Sequence, residues 1–184
     1  MLAVLLSACA GDCGGADAPL PRLAQVPPFQ LTSQDGDVFD SGNLRGRVWV
    51  AGFIFTSCPS VCPMITAQMA NLQRRVDDDR FRLVSFSVDP ENDTPEVLRR
   101  YAALHGADLE RWVFLTGERA TLRQVIVDGL KMRMGERTPT GDIAHGSHLV
   151  LVDGDGRIRG FYRTDREGLD ALERDARRLL AELP

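Results

Sequence analysis

The sequence has no run of about 20 apolar residues and no excess of positive charge, and each absence excludes a class of protein. Without such a run, no segment can cross a bilayer as a helix. The 22 lysines and arginines are outnumbered by 26 acidic residues, which gives a formal net charge of −4. Because nucleic-acid binding needs a basic surface, we expect no nucleic acid as a partner. The 184 residues suffice for one domain with a hydrophobic core.

The first nine residues are typical of the end of a bacterial lipoprotein signal segment. Apolar residues are followed by small ones and then by Cys9, which is the order of a lipobox over residues 6–9. The usual basic residues are missing, which is consistent with a start upstream of Met1. A short apolar tail with an incidental cysteine is the alternative. We expect Cys9 to carry a lipid that tethers an extracytoplasmic, periplasmic protein to a membrane surface.

The next segment, residues 10–28, is rich in glycine, alanine and proline. Such a composition predicts a flexible tether between residues 1–9 and a folded domain at residues 29–184. Cys13 lies within this segment, and we expect it to have no role.

Strand and helix patterns alternate beyond residue 28. Two short strand patterns around residues 34–37 predict an N-terminal hairpin. The further predictions are strands at 47–55, 81–88, 112–115, 149–152 and 157–162, and helices at 59–76, about 94–104, 118–130 and the C-terminus. This order predicts an α/β fold with a central mixed sheet flanked by helices, as in thioredoxin-like proteins.

Cys58 and Cys62 lie between the predicted buried strand and the predicted helix, and prolines follow both. The free amides and the dipole of a helix N-terminus stabilise a thiolate, so we expect a lowered pKa at Cys58. Residues four apart share a helical face, so the two sulfurs can meet on one metal ion or on each other. Two inert buried cysteines are the less favoured interpretation.

The three histidines differ in their expected surroundings. His105 ends the second predicted helix and is expected to be a solvated cap. His145 and His148 precede the strand at 149–152, and if that strand extends back to them they point to opposite faces. Only one of them should then reach the cysteines. The residue pattern leaves both a ligand and an ordinary loop histidine open for His145.

Two thiolates and an imidazole are soft ligands that suit copper, Cu(I) especially, whereas structural zinc normally has four protein ligands. Met132 and Met134 are further soft side chains, for which packing at a helix end is the simpler interpretation. We expect the carboxylates between residues 89 and 93 to be solvated groups around a capped helix start, without a catalytic role.

Several segments of the chain match motifs of one known family. Residues 55–63 contain a C-x-x-x-C-P motif preceded by an aromatic–threonine pair, residues 87–96 contain a second signature, and residues 112–117 contain a tryptophan followed by leucine, threonine and glycine. Together these segments resemble the Sco/SenC copper proteins of cytochrome c oxidase assembly, from about residue 29 to the C-terminal helix. The family histidine lies eight residues before an aspartate that ends an apolar strand, and counting back from Asp153 selects His145.

The resemblance implies a thioredoxin fold and a copper site made by Cys58, Cys62 and His145, for Cu(I) or Cu(II). It also implies a metallochaperone that helps to assemble the binuclear copper centre of oxidase subunit II and exchanges copper with other periplasmic carriers. The chain departs from many members at Gly146, where they have serine or threonine, and in its lipobox, where they have a transmembrane helix.

The same cysteines fit two other functions. A thiol-disulfide oxidoreductase would use Cys58 as the attacking thiolate and Cys62 as the resolving one, and would keep the oxidase copper-site cysteines reduced. A peroxidase-like protein on this fold is disfavoured, because its chemistry needs no downstream histidine ligand. Non-enzymatic copper delivery is the favoured hypothesis.

Overall fold

A computed structural model describes residues 18–58, 61–139 and 141–184, and the backbone alone at residue 61. The predicted lipobox, Cys9 and Cys13 lie outside the described residues. The strands are β1 Ala24–Gln25, β2 Gln30–Ser33, β3 Val38–Asp40, β4 Val48–Ile54, β5 Phe81–Ser87, β6 Trp112–Thr116, β7 Met134–Arg137, β8 Ile143–His145, β9 Leu149–Val152 and β10 Arg157–Tyr162. The α-helices are α1 Val61–Arg75, α2 Pro95–Leu104, α3 Arg119–Arg123 and α4 Arg166–Glu182.

Eight strands form one mixed sheet in the order β1-β10-β9-β4-β5-β6-β2-β3, and β7 pairs with β8 in a separate two-stranded sheet. The central strands β4, β5 and β6 are parallel, whereas β9 and β2 run antiparallel to their neighbours. α1 and α4 pack on β4, and α2 packs on β6. The fold is thioredoxin-like, as predicted, with the predicted hairpin β2–β3 at one edge. Within the described residues, no helix has the length and hydrophobicity of a membrane-spanning segment.

The strand β4 is buried along its whole length, since both faces of the sheet are covered there. Gly52 lies in its middle, opposite α1. A Cβ atom built at Gly52 would lie only 2.4 Å from the sulfur of Met69 on α1. The missing side chain therefore lets α1 pack closely across β4, which fixes the first turn of α1 beside the end of the strand.

The helix predicted at 118–130 is divided into two parts. α3 ends at Arg123, and a π-helical segment, Gln124–Gly129, continues it. Leu122, Val125 and Ile126 are buried as their spacing predicts. Apolar spacing reports which side chains face inward, and an α-helical and a π-helical turn can bury the same residues, so the pattern did not separate them.

The predicted flexible tether is too long at its C-terminal end. β1 pairs antiparallel with β10, and Val26 is buried. The Arg159 side chain donates hydrogen bonds to the carbonyl oxygens of Leu20 and Pro21, at 2.8 and 2.9 Å. Arg159 also forms a buried ion pair with Asp153 at 2.8 Å. Composition could not show these contacts, because the partners of the segment lie more than 130 positions further along the chain.

Candidate metal centre

The two cysteines lie where β4 leads into α1. Cys58 follows the turn after β4, and Cys62 lies in the first turn of α1. The backbone N–H of Cys62 donates to the sulfur of Cys58 at 3.5 Å, and the N–H of Phe55 donates to the sulfur of Cys62 at 3.4 Å. Both cysteines are buried thiols. The expectation that they share one helical face is wrong, because Cys58 precedes the helix. Backbone amide contacts hold the two sulfurs close to the helix start instead.

His145 is brought to Cys62 from a distant part of the chain. It ends β8, and its Nε2 lies 3.4 Å from the sulfur of Cys62. Its Nδ1 lies 3.0 Å from the carbonyl oxygen of Gly146, so a proton on Nδ1 is donated there and leaves Nε2 to face the sulfur. The Phe55 ring meets the imidazole edge to face at 5.7 Å.

His148 is exposed and stays apart from this contact. The two histidines do not lie on one strand, however, because β8 ends at His145 and a loop separates it from β9. The family resemblance, through its spacing from Asp153, selected the histidine that lies next to Cys62.

Burial sets the protonation of both groups. It raises the pKa of Cys62 far above the usual value for a thiol, although the N–H of Phe55 acts in the opposite direction. Burial lowers the pKa of His145, and the contact with Gly146 opposes this. Near neutral pH, Cys62 is therefore a thiol and His145 is a neutral imidazole.

The Cys62–His145 contact has the dimensions of two ligands on one ion. Bond lengths of about 2.3 Å to sulfur and 2.0 Å to nitrogen, at a tetrahedral angle, separate two donor atoms by about 3.5 Å. The observed 3.4 Å matches that separation. Within residues 18–58, 61–139 and 141–184, no three histidine, cysteine or acidic side chains form a group that could hold a metal ion.

Two carboxylates near the cysteines are buried, which corrects the expectation that they are solvated. Asp93 is fully buried and accepts hydrogen bonds from Ser87 Oγ and Thr56 Oγ1, both at 2.6 Å, and from the N–H of Thr56 at 3.2 Å. Burial raises its pKa. Asp93 thereby ties the loop after β5 to the turn that carries the cysteines. Glu91, in contrast, is exposed as expected.

Asp89 is the second buried carboxylate, and it pairs with a residue that the sequence did not single out. Its carboxylate accepts from Asn92 Nδ2 at 3.0 Å and forms an ion pair with Arg137 of β7. A signal for Asp89 and Asp93 was available: the carboxyl ends of adjacent parallel strands meet at one sheet edge, so residues after β5 lie beside those after β4. No comparable signal identifies Arg137.

Comparison with known proteins identifies the family. The family model for SCO1/SenC matches residues 18–181. The chain belongs to the SCO1/SenC family.

Solved SCO1/SenC structures share the fold. A SCO1/SenC family lipoprotein from Bacillus anthracis is 34% identical, with a TM-score of 0.78 over 85% of this chain and 95% of that one. ScoI from Bradyrhizobium japonicum, solved with copper bound, is 28% identical, with a TM-score of 0.73 over 85% and 99%. BsSco, described as a member of the Sco family of cytochrome c oxidase assembly proteins with a disulfide switch, is 33% identical, with a TM-score of 0.75 over 85% and 94%.

The absence of a side chain at Gly146 is explained by Met132. A Cβ atom at Gly146 would lie 2.1 Å from the terminal methyl group of Met132. Met132 and Met134 are both buried, which agrees with the packing interpretation. The Met132 side chain thus occupies the space in which a serine or threonine would begin. His105, the remaining histidine, caps α2 and is half-buried against the ring of Tyr101 at 4.4 Å, so it is less solvated than expected.

Proposed function

We propose that this SCO1/SenC protein binds copper through Cys58, Cys62 and His145 and delivers it during assembly of the binuclear copper centre of cytochrome c oxidase subunit II. The observation that carries the proposal is the 3.4 Å approach of His145 Nε2 to the sulfur of Cys62, across 83 positions of sequence. A neutral imidazole nitrogen and a sulfur at that distance have the separation of two ligands on one metal ion, which supports the proposal.

Cys58 is the third proposed ligand. Its sulfur accepts the N–H of Cys62, and its side chain is in hydrogen-bond contact with that of Cys62. Two sulfurs and one imidazole form a soft donor set, which favours copper over magnesium or calcium. Three protein ligands also leave room for a ligand of an acceptor protein, so copper can pass between the two as cargo.

The relatives support the partner and the location. BsSco is described as belonging to the cytochrome c oxidase assembly proteins, and the Bacillus anthracis relative is described as a lipoprotein. For this chain we propose an extracytoplasmic location on the periplasmic side, with a lipid on Cys9 as the anchor. Exchange of copper with other periplasmic carriers is part of the same proposal.

Thiol-disulfide exchange is the second candidate function, and the position of Cys58 supports it. Its sulfur receives an N–H from the first turn of α1, which is where an attacking thiolate is stabilised. In this reaction Cys58 and Cys62 lose two protons and two electrons and form a disulfide, while a disulfide of the partner gains them and becomes two thiols. His145 has no required part in that exchange.

Copper titration of the His145→Ala variant tests the copper proposal. Apo protein is titrated with Cu(I) and Cu(II) against a competing chelator. Loss of a ligand should weaken binding by more than about a hundredfold, since loss of groups outside the ligand shell already costs about 10–100-fold. His148→Ala is the matched control, because it removes an exposed imidazole three positions further on. It should bind as the wild type does.

Two outcomes would contradict the proposal. One is an affinity of His145→Ala equal to that of the wild type. The other is equal copper binding by the reduced protein and by protein whose Cys58 and Cys62 have been oxidised to a disulfide, which offers no thiolate. Retention of dithiol exchange in His145→Ala separates the two candidate functions.

A further inference from the structure

His145 is carried by an element that the main sheet does not hold. β7 and β8 form a two-stranded arm, described at residues 134–139 and 141–145, whose strands pair with each other and not with the eight-stranded sheet. Met134 faces His145 at the base of this arm, and Arg137 faces Ile143 further out. The distance between His145 and the cysteines therefore depends on side-chain contacts between the arm and the rest of the domain.

Arg137 makes such contacts on the cysteine side. Its Nη2 donates to the hydroxyl oxygen of Ser57, next to Cys58, at 3.0 Å, and it forms the ion pair with Asp89. Its Nη1 donates to the carbonyl oxygen of Gly141 in the turn of the arm at 2.9 Å. One guanidinium group thus joins the arm to the turn after β4 and to the loop after β5.

Phe55 connects these contacts to the candidate ligands. The guanidinium carbon of Arg137 lies 5.7 Å from the centre of the Phe55 ring, within the range of a cation–π contact. The same ring meets His145, and the N–H of Phe55 donates to the sulfur of Cys62. The Phe55 ring therefore lies between Arg137 and His145 and contacts both, beside the turn that carries Cys58.

The Asp89 carboxylate makes this arrangement costly to lose. Its side chain is only 3% exposed, whereas that of Arg137 is 34% exposed. A buried carboxylate without its cation is strongly unfavourable, so the ion pair holds the arm in place as well as satisfying Asp89. A planar guanidinium can serve Asp89, Ser57 and Gly141 together, which a lysine ammonium on its flexible stem does less well.

We propose that Arg137 is a positioning residue that latches the β7–β8 arm onto Ser57, Phe55 and Asp89 and thereby sets the approach of His145 to the cysteine pair. The role of Arg137 in copper binding rests on the proposed function. Its contacts with Ser57, Phe55 and Asp89 are a property of the metal-free protein.

The test compares Arg137→Gln, Arg137→Lys and the control Arg133→Gln. Arg133 is exposed and precedes β7, so its replacement removes the same charge close to the arm. Copper affinity should fall about 10–100-fold in Arg137→Gln, as for other groups that orient a metal ligand, and less in Arg137→Lys, which keeps a cation for Asp89. Arg133→Gln should stay within about twofold of the wild type.

A double-mutant cycle with His145→Ala separates positioning from general stability. If Arg137 acts through His145, Arg137→Gln should change copper affinity by less than about threefold once His145 is absent. An equal loss in both backgrounds would overturn the proposal, as would wild-type affinity in Arg137→Gln. If Arg137→Gln does not fold, Arg137→Lys replaces it in the test, because it preserves the charge opposite Asp89. Copper affinity below that of the wild type then supports the proposal, and wild-type affinity overturns it.

Hydrogen exchange of the metal-free protein gives a readout without copper. Backbone amides of residues 134–145 should exchange about tenfold faster in Arg137→Gln and at the wild-type rate in Arg133→Gln. Unchanged exchange in Arg137→Gln overturns the latch. If Arg137→Gln exchanges faster but the wild-type protein binds no copper, the latch stands and the proposed function fails. The two failures can therefore be told apart.

Discussion

At the scale of single residues, the chemistry of the site follows from burial. Cys62 is fully buried and keeps its proton at neutral pH, because burial raises its pKa. His145 is buried enough that its pKa is lowered, and it is neutral in the same range. In the proposed site, copper must therefore displace a proton from the sulfur of Cys62, together with any proton on Cys58, and none from the imidazole of His145.

This protonation predicts the pH dependence of copper binding. Below the raised pKa of Cys62, each pH unit upward removes a tenfold competition by its proton, so copper affinity should rise at least about tenfold per pH unit between about pH 6 and pH 8. The rise is steeper wherever Cys58 also releases a proton to bind copper. Because the pKa of His145 is lowered, protons compete with copper for its imidazole only at acid pH. The measurement is a chelator competition at several pH values, corrected for the protonation of the chelator. Affinity that is constant across this range would contradict a buried, protonated Cys62 as a ligand.

The sequence revealed the candidate ligands more readily than their surroundings. Cys58 and Cys62 follow an apolar strand, which is a signal local in the chain. The residue pattern left His145 open, and the resemblance to the Sco/SenC proteins selected it. The burial of Asp93 is not local: its partners Thr56 and Ser87 come from other segments. An acidic residue before a helix start has the same sequence pattern whether it is solvated or buried.

At the scale of elements, the helices and strands were predictable where one face or the whole element is buried. β4 and β9 are apolar because they lie inside the sheet, and α4 shows the expected helical spacing of its buried leucines. The β7–β8 arm was not predicted, since much of it is exposed and carries no long apolar pattern. The arm nevertheless carries His145, so an element that the sequence pattern did not reveal positions one of the proposed ligands.

The packing of α1 on β4 gives a prediction at this scale. Gly52→Ala should lower the free energy of unfolding by about 1–3 kcal/mol, because the added methyl group meets Met69 in a closely packed core. Urea unfolding followed by circular dichroism measures the change.

Gly129→Ala is the matched control for this substitution. Gly129 is also buried, but the nearest atom to its added Cβ lies 3.4 Å away, an ordinary contact, so its effect should stay within about 1 kcal/mol. If the clash with Met69 is the cause, Gly52→Ala combined with Met69→Ala should be less destabilised than the sum of the single variants. Additive losses would contradict this explanation.

At the scale of the whole molecule, the fold gathers the site from three distant parts of the chain. In the first part, the turn after β4 supplies Cys58 and the first turn of α1 supplies Cys62. The loop after the neighbouring parallel strand β5 supplies the buried carboxylates, and the β7–β8 arm supplies His145 and Arg137. The first two meet because parallel neighbours end at the same edge of the sheet. The third is brought in by side-chain contacts, which is why its position could not be predicted from strand order.

The N-terminal residues 20–25 pack against the folded domain. β1 continues the sheet beyond β10, and Arg159 fixes residues 20 and 21 to the domain. Residues 20–26 therefore belong to the folded domain and not to the predicted tether.

X-ray absorption at the copper edge of the Cu(I)-loaded protein tests the central claim most directly, because it counts the ligands by element. The proposed site predicts two sulfur ligands and one imidazole nitrogen on each copper, and His145→Ala should lose the imidazole signal while keeping both sulfurs. A wild-type spectrum with no imidazole, or with fewer than two sulfurs, would contradict copper binding by Cys58, Cys62 and His145.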